Sequence, residues 1–134
     1  MKLTDYLVDP AKLATYSPPK HAKTINHRLW PIEGRNAPFE IIHGFLGFEG
    51  GAEPHYHLVS DQMVYLLSGS LRIVGNEDEV TMEPGHFIYL PKGLEHRVDI
   101  LSPEGVNILI MYMPRLSMDD ILPAKHLLAA GAGE

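Results

Sequence analysis

The chain has 134 residues, 45% apolar and 21% charged, the balance of a single globular domain. Its formal net charge is -6, and its eleven Lys and Arg are scattered, which argues against a nucleic-acid partner because phosphate binding needs a concentrated basic surface. With no cysteine, a disulfide framework is excluded, and any metal must be held by His, carboxylate or amide donors.

Residues 1–24 contain Pro10, Pro18 and Pro19 and little pattern, so they read as an N-terminal arm. MKLTDYLVDP has no apolar run of signal-peptide length, and no stretch reaches the roughly 20 apolar residues of a membrane span, so a cytoplasmic protein with no membrane contact is expected. Residues 25–113 read as closely spaced short strands. FEIIHGFLGF, from Phe39, is rich in aromatic and branched residues. QMVYLL, from Gln62, is a short apolar run. SLRIV, from Ser70, alternates and is followed by the polar GNEDE and then VTM, which is a hairpin signal. Phe87–Leu90, His96–Leu101 and Val106–Met113 complete the series, with the turns EPG, PKG and SPEG between them. Many short strands with regular turns predict an all-β sandwich or barrel. Ser117 followed by Asp119 and Asp120 reads as a helix start, predicting a short C-terminal helix over 117–130.

The chemistry concentrates in two stretches. In GAEPHYHLVSDQ, His55 and His57 stand one residue apart in a strand, so both side chains take one face and their rings can converge on one point. Gln62 opens the next strand and reaches the same point if that strand pairs back antiparallel; Asp61 then faces outward. In GHFIYLPKGLEH, Pro91 and Gly93 fix a tight turn that can deliver His96 into a barrel interior.

Together these stretches resemble the two motifs of the cupin superfamily, and of its small single-domain members in particular. The first motif runs Gly, five residues, His-x-His, three or four residues, Glu, six residues, Gly. Here HYH is followed after four residues by Gln62 and after six more by Gly69. Gln62 replaces the usual Glu, and Glu49 holds the strict position of the leading Gly, with Gly50 and Gly51 beside it. The second motif is matched at Gly85, Pro91, Gly93 and His96, while Ile100 replaces its final Asn. The resemblance implies a jelly-roll β-barrel of two antiparallel sheets and a homodimer. It also implies one divalent transition metal (Fe, Zn, Ni or Mn) held by His55, His57, Gln62 and His96, although the family includes metal-free members. Three imidazoles and an amide would leave the ion's charge uncompensated and favour an anionic substrate oxygen.

Around this site, Phe45, Val64, Phe87, Ile100, Met111 and Met113 are expected to supply an apolar pocket wall. His43, Tyr65, Tyr89 and Tyr112 are the candidates for proton transfer, and no carboxylate base is evident beside the motifs. His21, His27, His86 and His126 read as surface residues, and Glu53 and Glu95 as solvated faces. Three functions are compatible with a small-molecule ligand. One is a dioxygenase acting on a chelating enol, diketone or aromatic substrate. The others are a non-redox lyase, isomerase or cyclase acting on a carbonyl compound, and a non-catalytic binding module.

Overall fold

The computed structural model describes residues 2–30, 37–75 and 77–127, with Trp30 described in its backbone only. Ten strands follow in order: β1 (Thr15–Tyr16), β2 (His21–Trp30), β3 (Glu40–Tyr56), β4 (Asp61–Ser68), β5 (Leu71–Gly75), β6 (Asp78–Met82), β7 (Phe87–Leu90), β8 (His96–Ile100), β9 (Val106–Met113) and β10 (Leu122–Pro123). Every described pairing is antiparallel. The hydrogen-bonded order is β6-β5-β8-β3-β9-β4-β7, with β2 and β10 added on β3 and β1 on β2.

The 17 residues of β3 make one continuous sheet out of two leaves. Its first half pairs with β9, and its second half pairs with β8. Curled on itself through β3, the sheet becomes a nearly closed barrel, the expected all-β architecture. The core fills its interior with alternate residues of each strand, among them Ile42, Leu46, Val64, Leu66, Leu71, Ile73, Ile108 and Ile110.

Two end segments differ from expectation. The region read as an arm already contains β1 and the first residues of β2, so the barrel wall starts before residue 25. The C-terminal helix expected over 117–130 is a three-residue 3-10 turn, Met118–Asp120, followed by β10; residues 128–130 lie outside the described residues. Ser117 does cap that turn, its side chain accepting from Asp119 N–H. Pro123 then lacks the N–H to continue a helix, and the chain adds instead to β3.

Candidate metal centre

His55 closes the last part of β3 and pairs directly with His96, the first residue of β8. His57 lies just beyond β3, and the turn before β8 holds it: the N–H of Gly93 donates to the His57 carbonyl at 2.7 Å. Gly93 has a φ of +87°, which a residue with a Cβ adopts only with strain, so glycine is needed where the turn reaches back. The three rings are buried at 1–2% exposure and stand 4.4 to 5.7 Å apart between centroids. One ring nitrogen from each lies within 4.8 Å of the other two. Bonds of 2.0–2.1 Å from imidazole to one ion need a separation of roughly 4 Å or less, a small further approach.

The tautomers are fixed by backbone carbonyls. Nδ1 of His55 meets Glu53 O at 2.6 Å, Nδ1 of His57 meets Asp120 O at 2.7 Å, and Nδ1 of His96 meets Leu94 O at 2.9 Å. A carbonyl oxygen only accepts, so each Nδ1 carries the proton and donates it. A neutral ring then has a lone pair on Nε2. Nε2 of His96 is buried without a partner. Nε2 of His57 faces Oε1 of Gln62 at 3.2 Å, two acceptors with no proton between them. A cation shared by both satisfies the pair, as does turning the amide so that its NH2 donates. Burial is the main force holding His55 and His96 neutral. It pulls their pKa values down to about 2 and about 4, with neighbouring imidazoles adding repulsion against a proton. The donor set therefore fits a divalent metal: neutral lone pairs, pre-oriented, one of them orphaned.

The carbonyl at Asp120 is itself anchored. Its carboxylate accepts the N–H groups of Leu58, Val59 and Ser60 at 2.7 to 3.1 Å, which shapes the connection from His57 to Gln62. Asp120 is buried, and the sequence reading saw it only as a helix-start acid.

His21 is the other residue the sequence reading missed. Placed in the arm, it instead opens β2, with its ring 5.4 Å from that of His55. Its Nδ1 donates to Pro19 O at 2.7 Å, the same two-residue back-bond made by His55 and His96. It lines the interior cavity with Thr24, Asn26, Gln62 and Tyr112 but stands outside the tight three-ring group. Burial also lowers its pKa. The signal available in sequence was a His two residues after a Pro, too common to act on.

Of the remaining site candidates, Gln62, Val64 and Tyr112 face the cavity, and Ile100 belongs to the buried core. Tyr112 packs edge-on against His57 with centroids 5.4 Å apart, and burial pushes its pKa strongly up, so its hydroxyl stays protonated. Phe45, Met111, Phe87 and Tyr65 do not line the cavity; with Ile41, Met63 and Leu109, all but Phe45 border an apolar depression on the outer face. Met113 and Tyr89 are exposed at 47% and 51%. His43 stacks on His27 outside the cavity.

The reason is phase. Glu40, Ile42, Gly44 and Leu46 are the buried residues of early β3, whereas His55 is buried at its end. The register shifts between Ala52 and His55, which reverses the alternation, so counting back from the histidines puts His43 and Phe45 on the wrong side. Pairing of Gln62 with Tyr112 and of Val64 with Ile110 similarly leaves Met111 and Met113 facing outward. Glu53 is exposed, and the Glu95 carboxylate accepts the N–H groups of Lys125 and His126.

A family model described as a cupin domain matches residues 46–112. A 60-residue stretch is 38% identical to the tetracenomycin polyketide synthase protein TcmJ of Streptomyces glaucescens, spanning 45% of this chain and 40% of that protein. Among solved structures, the polyketide cyclase RemF from Streptomyces resistomycificus superposes with a TM-score of 0.75 at 17% identity, covering 90% of this chain and 86% of that one. KdgF from Halomonas sp. superposes with a TM-score of 0.65 at 16% identity, covering 79% of this chain and 92% of that one. At these identities the structural likeness is one of fold.

Proposed function

The chain belongs to the cupin family, and from that premise we propose that it is a mononuclear metal enzyme acting without redox change on a small carbonyl or enol substrate, in the manner of a cyclase, lyase or isomerase. The observation that carries this reading is the convergence of His55, His57 and His96, each with Nδ1 spent on a carbonyl and Nε2 left to donate. Gln62 is the fourth donor, through the oxygen that faces His57. The matches to a polyketide synthase protein and a polyketide cyclase favour ring closure on a polyketide-like chain.

A divalent ion at this site would supply Lewis acidity toward a carbonyl oxygen. The chain's own residues supply the rest. Leu46, Val64, Ile108 and Ile110 give the small interior cavity, about 30 Å³, an aliphatic wall for an apolar part of the substrate to meet. Tyr112, held protonated by burial, can donate a hydrogen bond to a substrate oxygen. His21, with Nδ1 committed to Pro19, offers Nε2 as an acceptor at the cavity wall.

Dioxygenase chemistry is the second reading, favoured by the same apolar wall, which would shield a reactive substrate. One experiment separates the two. Protein purified without added metal is analysed for bound metal, then tested on a diketone panel with and without oxygen. One equivalent of metal and turnover under anaerobic conditions are expected. Turnover that requires oxygen supports the dioxygenase. Failure to take up any transition metal overturns both readings and leaves the non-catalytic module.

A further inference from the structure

The inward row that carries the histidines extends beyond them. Directly paired residues on antiparallel strands point to the same side of a sheet. His55 pairs with His96, His96 with Gly75, and Gly75 with Asp78. These four residues form one row across β3, β8, β5 and β6. The facing of the row is fixed by its neighbours: Leu71 pairs with both Ile100 and Met82, and all three are buried.

At Gly75 the row is empty of side chain. A Cβ there would come within 2.8 Å of the Glu95 carbonyl and 3.6 Å of the His96 Cβ, so a larger residue must displace backbone. The gap belongs to a groove lined by His96 and by the exposed Asp78 and Glu79, between walls of Ile73, Val80, Ile88 and Leu90. β6 and β7 are the two ends of the main strand order and do not pair with each other, so no backbone bonds close the seam between them. The Asp78 and His96 backbones are two strand spacings apart, about 10 Å. The His96 Nε2 is buried and unpartnered.

We propose that Asp78 is the second contact for the ligand whose oxygen the histidines hold. Asp78 is exposed and its Oδ1 accepts the Glu79 N–H at 2.8 Å; its other carboxylate oxygen takes a donor group, hydroxyl or ammonium, at the ligand's other end. The inference rests on the metal-centre reading above and extends it to the ligand class: a small molecule with an oxygen donor at one end and a hydrogen-bond donor a few carbons away. An ionised carboxylate accepts only, and hydrogen bonds to it are charge-assisted. Asp78 lies in the GNEDE stretch, legible in the sequence only as a polar hairpin turn, 18 residues before His96.

The test uses cobalt-loaded protein titrated with two hydroxamates that share a chelating head. Butyrohydroxamic acid ends in a methyl group, and 4-aminobutyrohydroxamic acid ends in an ammonium. Wild type is expected to bind the ammonium compound about fivefold tighter, the scale of one partly exposed charged contact. Asp78→Asn should erase the preference while cobalt affinity and butyrohydroxamate binding stay within about twofold of wild type. Glu83→Gln, an exposed acid that does not line the groove, should keep the preference. No preference in wild type, its survival in Asp78→Asn, or its equal loss in Glu83→Gln would each overturn the proposal. A wild-type protein that takes up no cobalt fails the metal reading itself, whereas an intact cobalt site without preference fails only the role of Asp78.

Discussion

Asp120 holds His57 from 63 residues away: its carbonyl accepts the Nδ1 proton of the ring at 2.7 Å, while its carboxylate ties down the three backbone N–H groups that follow the ring. One residue of the C-terminal segment thus sets both the tautomer of a donor and the path of the loop behind it.

Asp120→Ala leaves those N–H groups without an acceptor. The expected cost is about 3 kcal/mol, because unmade hydrogen bonds to buried groups forfeit their full desolvation cost. In a chain of this size that lowers the melting temperature by roughly 10 °C. Asp120→Asn keeps one acceptor oxygen and should lose about half as much. Thermal denaturation of the two variants checks the order; equal melting temperatures for Asp120→Ala and wild type would remove the anchor.

Acid should destabilise the metal-free protein. The unfolded chain's histidines gain protons near pH 6.5, whereas His96 stays neutral in the fold down to about 4 and His55 to about 2. Between those values the unfolded state binds more protons, so stability is fully present above pH 6.5 and falls as pH drops through the window. His96 alone contributes a loss on the order of 3 kcal/mol by pH 4. Urea midpoints measured from pH 7 to 4 should decline steadily. A flat profile would mean the rings are not held neutral. The same burial should let bound metal persist below pH 6.5, where an exposed three-histidine site would release it.

Gln62→Glu restores the carboxylate usual at this motif position. Its negative charge beside the His57 nitrogen compensates a divalent ion that the amide leaves uncompensated. Metal affinity, read by competition with a chromogenic chelator, should rise about tenfold, the equivalent of about 1.4 kcal/mol. Unchanged affinity would place Gln62 outside the donor set.

His21→Ala separates two kinds of neighbour. The ring lies beside His55 but outside the group whose nitrogens fall within 4.8 Å of one another. Metal affinity should therefore stay within about threefold of wild type, as expected for a residue that is not itself a donor. A loss greater than tenfold would make His21 a fourth imidazole of the centre.

The sequence carried the strands and three converging histidines because both follow from short-range rules. Alternation put His55 and His57 on one face, and Pro91 with Gly93 announced the turn that delivers His96. What it did not carry was set by pairing register. His21 meets His55 only because β2 pairs with β3 far along its length, His21 opposite Ala52. Asp78 joins the histidine row only through two successive strand pairings. Phe45 and His43 were placed wrongly by one irregularity in β3 that no residue type announces. Asp120 needed a long-range backbone contact that leaves no periodic trace.

That outward phase has a consequence for assembly. Ile41, Met63, Tyr65, Phe87, Leu109 and Met111 border an apolar depression with no charged residue among them, the kind of surface that the expected homodimer would bury. Phe87 is 59% exposed in the single chain, so Phe87→Glu should change the fold's stability by no more than about 0.5 kcal/mol. In a dimer that buries this face, the same change places a charge in an apolar contact and costs several kcal/mol of association. Light scattering behind size exclusion should show a dimer for wild type and a monomer for Phe87→Glu, with matching melting curves at low concentration. A Phe87→Glu protein that remains dimeric at the same concentration would move the interface away from this face.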